Sequence, residues 1–347
     1  MRILIIKFRN IGDVLLSTPL IKNLKLNYPS SLIDFALNEE TKEMIEDNLD
    51  INEILSYKRD KIKSLPFFKR ALYELKFAKK IRDKKYDIVI NLTEGERGAF
   101  YALFSGAKIR VGIPPKKGIL KNAYTHALPK PWSKHICEAS LDALDALGLK
   151  KFETKVYVFS NKESRYENFI HIHPVSRWMF KCVKDEIMAK IIDFLELDLK
   201  ERVILTAAPQ KKEIDKINSI LSLCKSSPIN LSGKLSLKET IALNKKAKLF
   251  IGVDTAIMHI AAANNIPTIA FFGPSSSKNW GPWDNEEQKN RYLLNKGIQR
   301  SKNHTVIQKN WDCIPCQKDG CNGSKISDCL MDFDFDLIKE EILKRLR

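Results

Sequence analysis

Asp254, Thr255 and His259 lie close together in the chain, and their types suit the binding of an anion. They belong to Lys248–Pro274, KLFIGVDTAIMHIAAANNIPTIAFFGP. Lys248–Gly252 is an apolar run that ends on a glycine. Asp254 and Thr255 are good N-cap residues for the Ala-rich segment that follows. Pro267 opens a second apolar run, which ends at Gly273-Pro274. The stretch reads as strand, tight turn, short helix, strand. A helix that starts at the carboxyl end of a buried strand presents free backbone N–H groups, here at Thr255 and Ala256, and a partial positive charge. Phosphate is the usual occupant of such a place. His259 stands four residues beyond Thr255, on the same helix face. It either hydrogen-bonds that phosphate or is a buried histidine bonded to backbone. A capped strand–helix turn would account for Asp254 alone and not for the string as a whole. The stretch, Gly273 included, is therefore expected to bind a diphosphate and to support catalysis beside it.

A second group comes earlier. The first apolar run empties into Arg9-Asn10-Ile11-Gly12-Asp13, followed by Ser17, Thr18 and Pro19. Gly12 allows a tight turn, and Asp13 then stands at a helix start. As an N-cap, Asp13 is structural. As a catalytic group it takes a proton from an attacking hydroxyl, a role worth roughly a hundred- to ten-thousand-fold in rate. The residues leave both roles open. No G-x-G-x-x-G is present, which disfavours a nicotinamide or flavin site.

Two halves of the chain repeat one rhythm of strand and helix, and that rhythm must position both groups. In the first half, strands are expected at Arg2–Phe8, Leu32–Leu37, Ile51–Tyr57, Tyr86–Leu92 and Lys108–Gly112. Helices are expected at Asp13–Asn27, within the basic stretch Lys61–Lys85, after Gly95, and at His135–Leu147 before Gly148. In the second half, strands at Phe169–His173, Arg202–Thr206 and Ile229–Leu231 alternate with helices at Val183–Leu195, Glu213–Cys224 and Leu237–Lys246. Such alternation predicts parallel sheets with helices on both faces. Lys150–Glu167 has no helical period, so the interdomain connection is expected there. The fold class is then α/β, with two doubly wound Rossmann-like domains, residues 1–160 and 168–330, facing a cleft. A final helix over 333–347 is expected to pack back towards the first domain. Ligands of open α/β sheets bind at strand carboxyl ends, which places the site in the cleft.

At 347 residues the chain is long enough for two ordinary cores. Ile3–Ile6, ahead of Lys7 and Arg9, is too short for a signal-peptide core. No apolar run approaches the length of a bilayer span. A cytoplasmic protein, or one resting on a membrane from the cytoplasmic side, is expected. The formal net charge of +17 favours acidic partners such as sugar nucleotides, phosphorylated glycolipid or anionic membrane, unless it reflects a lysine-rich genome alone. The basic residues are spread and form no nucleic-acid reader motif, so no nucleic-acid partner is expected. In Lys61–Lys85, Phe68, Leu72 and Leu75 fall at helical spacing among Lys69, Arg70, Lys76, Lys79 and Lys80. Such a helix either rests on an anionic leaflet or packs on a sheet as an ordinary surface helix.

Four segments together resemble the family 9 glycosyltransferases, the lipopolysaccharide core heptosyltransferases. They are KFRNIGDVLLSTPLIKNLK, NLTEGERGA, SRWMFKC and GVDTAIMHIAAANNIPTIAFFGP. The tail CIPCQKDGCNGSKISDCL is similar to the branch that adds a third heptose to the inner core. The resemblance runs along nearly the whole chain in the right order. It implies a GT-B fold, an ADP-L-glycero-D-manno-heptose donor, and an inverting transfer that requires no metal or other cofactor. It also implies a lipid A–core acceptor, with the enzyme peripheral to the inner face of the bacterial inner membrane. On this basis Asp13 is the general base on the acceptor hydroxyl. The helix start at Thr255–Ala256, Ser176 and Lys181 stabilise the departing diphosphate. SRWMFK holds one residue more than some relatives have there, so Arg177 is the alternative to Lys181. Asp254 contacts the donor sugar or orients the site.

Adenosine is expected on Thr206–Ala208, Glu213 and Leu231–Gly233, chiefly Ala208, Glu213, Leu231 and Gly233. The acceptor is expected on Thr93, Glu94, Arg97 and Arg110. Lys116, Lys117 and Lys121 lie in a loop that either meets acceptor phosphate or is plain solvated charge. Of seven cysteines, Cys313, Cys316, Cys321 and Cys329 cluster as C-x2-C-x4-C-x7-C. Reduced packing thiols are the default there, with a structural metal as the alternative. Two other functions keep some of these features. A GT-B sugar-nucleotide epimerase shares the fold, but the Asp13 motif and the GVDT loop together count against it. A non-catalytic nucleotide- or glycolipid-binding protein would not need Asp13, Lys181 and Asp254 intact.

Overall fold

Ile3–Ile6 has no polar face, which suits a central strand covered on both sides. In the computed structural model, which describes residues 1–347, these residues have no exposed surface. They form the middle of β1 (Arg2–Lys7). Two short helices follow, α1 (Ile11–Leu15) and α2 (Thr18–Asn27), then β2 (Leu32–Asn38) and β3 (Glu53–Tyr57). Helices α3 (Arg59–Lys63) and α4 (Phe67–Asp83) lead to β4 (Ile88–Asn91). Then come α5 (Glu96–Phe104), β5 (Ile109–Gly112), β6 (His126–Ala127), α6 (Ile136–Ser140) and α7 (Asp142–Ala146). The sheet is parallel throughout, with order β3-β2-β1-β4-β5-β6. The chain divides into two compact units, and this sheet belongs to the first, Met1–Tyr157.

The single helix expected at Asp13–Asn27 is broken. Pro19 has no N–H to give the carbonyl of Leu15, and its ring crowds that oxygen. Thr18 Oγ1 donates to Leu15 O instead, at 2.8 Å, and Ser17 Oγ donates to Val14 O at 2.7 Å. The helix also starts earlier than expected, at Ile11. Asp13 is therefore not the N-cap: Asn10 is, and Asp13 lies three residues into the turn. The basic stretch is likewise two helices, divided at Ser64-Leu65-Pro66, and the expected His135–Leu147 helix divides at Leu141. Gly148, at φ +65°, ends it in the left-handed conformation, and Leu149 N donates to Leu144 O.

The second unit, Val158–Arg347, is built the same way. Its elements are β7 (Phe169–His173), α8 (Asp185–Asp193), β8 (Val203–Leu205), α9 (Lys211–Leu223), β9 (Ile229–Asn230) and α10 (Leu237–Asn244). There follow β10 (Ala247–Val253), α11 (Ala256–Ala263), β11 (Thr268–Phe272), α12 (Ser277–Trp280), β12 (Gln299–Arg300), β13 (His304–Gln308) and α13 (Phe335–Leu346). The order is β12-β13-β11-β10-β7-β8-β9, parallel except for β12. The sequence reading did not foresee β12 and β13. The C-terminal helix, expected over 333–347, lies within the second unit. Ile338 and Ile342 are buried in that unit's core, and Glu341 accepts from Arg300 on β12. No helix is long and apolar enough to cross a membrane.

Candidate active site

The strand order of the first sheet reverses between β1 and β4, and that of the second between β7 and β10. In open α/β sheets the ligand site lies at the carboxyl ends of the strands flanking such a reversal. Both groups singled out in the sequence are found there.

In the first unit, β1 ends at Lys7, whose side chain is drawn inward. Its Nζ donates to Leu92 O at 3.1 Å and stands 3.7 Å from Asp13 Oδ1. Burial pushes the Lys7 pKa down, an effect that the Asp13 charge opposes. Asp13 Oδ2 accepts from Asn10 N at 3.3 Å, so the capping geometry aims this carboxylate. Thr93, just past β4, accepts from Phe8 N at 2.9 Å and thereby ties the two strand ends together. Glu94 lies 3.9 Å from Arg9. Arg97 covers the ring of Tyr57 at 4.8 Å and faces Glu74 at 4.0 Å. Arg110 is not brought to this group. Its Nε donates to Ala123 O at 2.7 Å and an Nη to Ala107 O, so it staples its own loop.

In the second unit, β7 leads into a 3-10 turn, Met179–Lys181, that delivers Lys181 to Asp254 at the end of β10. Lys181 Nζ donates to Asp254 Oδ2 at 2.6 Å. Burial alone would raise the Asp254 pKa, but the Lys181 charge and hydrogen bond, with Ser275 and the charge of His259, hold it below the usual carboxylate value. Thr255 is the N-cap of α11, and its buried Oγ1 has no partner within the protein. Ala256 opens the helix, and His259 is buried one turn on. Ser176 Oγ accepts from Trp178 N, while Arg177 is exposed and lies over the Trp178 ring at 5.0 Å. Gly273 has a packing role, since a Cβ there would stand 2.6 Å from Leu330.

The carboxyl ends of β8 and β9 gather the residues expected for adenosine. Ala208 N donates to Glu213 Oε2 at 3.0 Å, and burial raises the Glu213 pKa against that bond. Leu231 N reaches Leu205 O and Gly233 N reaches Ala207 O, each at 2.9 Å. Gly233 needs its φ of +70° to make the turn.

Sequence reasoning missed His173 and the buried relay behind it. Asn264 Nδ2 donates to Asn244 Oδ1, and Asn244 Nδ2 to His171 Nδ1, each at 3.0 Å. His171 then carries its proton on Nε2 and donates to Thr206 Oγ1 at 2.7 Å. Thr206 has one proton left, which goes to His173 Nδ1 at 2.9 Å. His173 is thereby a fixed Nε2–H donor at the end of β7, three residues before Ser176. Burial lowers the pKa of His171 to about 3 and of His173 to about 4, so both are neutral. The only signal in the sequence was two histidines at period 2 in a strand otherwise read as core.

The four clustered cysteines differ in exposure. Cys313 is exposed, Cys316 and Cys321 are half-buried and Cys329 is buried. No group of three or more His, Cys, Asp or Glu side chains is placed to hold an ion. Burial and the nearby Cys321, Cys316 and Cys313 push the Cys329 thiol up to about 12.

Two doubly wound sheets in tandem, each with its residues at its own switch point, are the architecture of the GT-B glycosyltransferases. The family model of glycosyltransferase family 9 (heptosyltransferase) matches residues 74–311. Lipopolysaccharide heptosyltransferase 3 of Escherichia coli is 33% identical over 290 residues, 79% of this chain and 84% of that protein. A glycosyltransferase of family 9 from Veillonella parvula has a similar structure, with TM-score 0.78 and 19% identity, covering 99% of this chain and 97% of that one. The E. coli heptosyltransferase WaaC with ADP gives TM-score 0.76 at 17% identity, covering 99% and 100%. The chain belongs to glycosyltransferase family 9, the heptosyltransferases.

Proposed function

We propose that this glycosyltransferase moves a heptose from ADP-L-glycero-D-manno-heptose to the inner core of lipopolysaccharide or lipooligosaccharide, inverting the anomeric carbon and needing no metal. The observation that carries the reading is the Lys181–Asp254 pair beside the unpartnered Thr255 hydroxyl and the start of α11. A cation, a hydroxyl and free N–H groups at one strand end are what a leaving diphosphate needs. The relative named lipopolysaccharide heptosyltransferase 3 supports the sugar, the core acceptor and the third-heptose branch, and the ADP of the WaaC structure supports the nucleotide.

In the first unit, Asp13 takes the proton of the acceptor hydroxyl as its oxygen bonds to the anomeric carbon. The bond from that carbon to the phosphate oxygen breaks, and ADP leaves from the opposite face with the electron pair. The charge at the anomeric carbon is oxocarbenium-like at the crossing point. Lys181 and Ser176 in the second unit, with the N–H groups at Thr255–Ala256, receive the charge gathering on the diphosphate. Asp254 holds Lys181 until the donor arrives and then orients the sugar. Arg177 and His259 border this group, and adenosine rests on Ala208, Glu213, Leu231 and Gly233. Thr93, Glu94 and Arg97 shape the acceptor side. The work is done at the cytoplasmic face of the inner membrane.

Turnover with ADP-heptose and cores bearing no, one or two heptoses, read by mass spectrometry, tests the reaction. Addition of one heptose to the two-heptose core only is the expected result. Asp13→Asn should lower transfer by about a hundred- to ten-thousand-fold while ADP binding, followed by calorimetry, stays within about twofold. Equal turnover by the variant would remove Asp13 from the base role.

A further inference from the structure

Helix α4 carries four large apolar side chains that are half or more exposed. Phe67 is 77% exposed, Phe68 84%, Leu72 52% and Leu75 54%. The helix has a proper buried face elsewhere: Phe77, Ala78 and Ile81 pack into the first unit's core. Phe68, Leu72 and Leu75 follow at i, i+4 and i+7 on the opposite side. An ordinary surface helix would put polar residues there. Scattered exposed apolar residues need no explanation, but a contiguous stripe marks an interaction site.

The charges around the stripe say what kind of partner it fits. From Lys58 to Lys85 there are twelve lysines and arginines against three acids. One of the acids, Glu74, faces inward, accepting from Tyr57 Oη at 2.6 Å and from Tyr101 Oη. Lys69, Lys76 and Lys79 flank the stripe, are exposed, and make no ion pair within the protein. Cations that ring an apolar stripe match a surface of negative headgroups over acyl chains.

Topology places the stripe where such contact is useful. Helices α3 and α4 join the carboxyl end of β3 to the amino end of β4, so Phe67 and Phe68 lie at the carboxyl edge of the sheet. That is the edge of Asp13, Thr93 and Arg97. Ile119, 93% exposed in the loop after β5, stands at the same edge among Lys116, Lys117 and Lys121. We propose that this edge of the first unit, led by α4, docks on an anionic lipid bilayer with Phe67, Phe68 and Leu72 entering the headgroup boundary. The proposal deepens the reading of a lipid-anchored acceptor, and rests on it only for which membrane is meant.

The test is flotation of the full chain with vesicles of phosphatidylcholine alone and of phosphatidylcholine mixed with phosphatidylglycerol. Binding should require phosphatidylglycerol, weaken with added salt, and fall about tenfold or more in F67S/F68S/L72S and in K69E/K76E/K79E. Unchanged thermal unfolding of both variants keeps the comparison valid, since none of these side chains is buried. Equal binding to both vesicle types, no binding to either, or binding that ignores the substitutions would overturn the proposal, and the last two would point the stripe to a protein partner. Transfer onto lipid-free core oligosaccharide separates the two readings. In the unsubstituted chain, no binding to either vesicle type with transfer intact removes the docking surface alone. Vesicle binding intact with no transfer on any core removes the heptosyl-transfer reading alone.

Discussion

Lys181 and Asp254 are a pair whose value depends on both members being present. The Asp254 side chain is 8% exposed and that of Lys181 22%, so removing the cation strands a buried carboxylate. Lys181→Met should cost about 2–3 kcal/mol in urea unfolding, towards the low end for a buried pair because the lysine keeps some solvent. The double change Lys181→Met/Asp254→Asn should recover most of that loss, though not the turnover. A double variant no more stable than the single one would mean that Asp254 is compensated by other neighbours. Which residues stand at the strand ends was partly legible in the sequence; which of them pair was not. Asp13, Lys181 and Asp254 stand in short motifs, and a motif fixes residue types at a strand end. Lys7, Glu74 and His173 were not legible, because each acts through a neighbour far away in the chain. Lys7 meets Leu92, Glu74 meets Tyr101, and His173 meets Thr206. Arg110 shows the reverse failure: an arginine at a strand end looked free, and the fold spent its donors on two carbonyls.

The elements were legible where periodicity is long and punctuation plain. Each of the five longer strands of the first sheet overlaps its expected place, since runs such as Ile3–Ile6 admit little else. Some helices were drawn unbroken where the chain interrupts them. A hydrophobic period continues across Pro19 and Pro66, and only the local hydrogen bonds reveal the breaks. Strand β13, HTVIQ, escaped because Thr305 and Gln308 are fully or nearly fully buried while its sequence is half polar. Packing of one element on another also sets a limit that sequence cannot show. At Gly98 on α5 a Cβ would stand 2.4 Å from the amide of Asn91 on β4. That amide in turn accepts from Thr93 N at 3.0 Å and donates to Thr93 O at 2.9 Å. Gly98→Ala must push Asn91 aside or lift the helix. A loss of about 1–3 kcal/mol in urea unfolding is expected, with weakened acceptor use (a raised KM) as Thr93 shifts. A variant as stable as the parent would show that the helix has room to move.

At the scale of the whole molecule the two units are built alike but titrate differently. His171, His173 and His304 are all in the second unit, and burial lowers their pKa values from 6.5 to about 3, about 4 and about 4. Once unfolded, each takes a proton near its ordinary value; folded, each refuses it until the pH is far lower. Between those limits the unfolded state binds more protons, so stability falls as the pH falls. The slope is about 1.4 kcal/mol per pH unit for each histidine, and the contribution is fully present only above the unfolded value. Carboxylates add a second loss at lower pH. Burial would raise Glu341, but Arg300 and Lys344 bring it down to about 2, and Asp254 and Asp284 are lowered as well. These groups stabilise the fold above their ordinary pKa values, and that stability disappears as the pH drops through the folded ones. All belong to Val158–Arg347. Acid should therefore open the second unit first. Hydrogen exchange read by mass spectrometry at about pH 7.5 and about pH 5, corrected for intrinsic rates, should show protection lost in peptides of β7, β8 and β10 while β1, β2 and β4 keep theirs. Four of the five tryptophans, Trp178, Trp280, Trp283 and Trp311, are in the same unit, so fluorescence should report the same transition. Equal loss in both sheets would mean that the units unfold as one, and earlier loss in the first would place the acid-sensitive groups elsewhere.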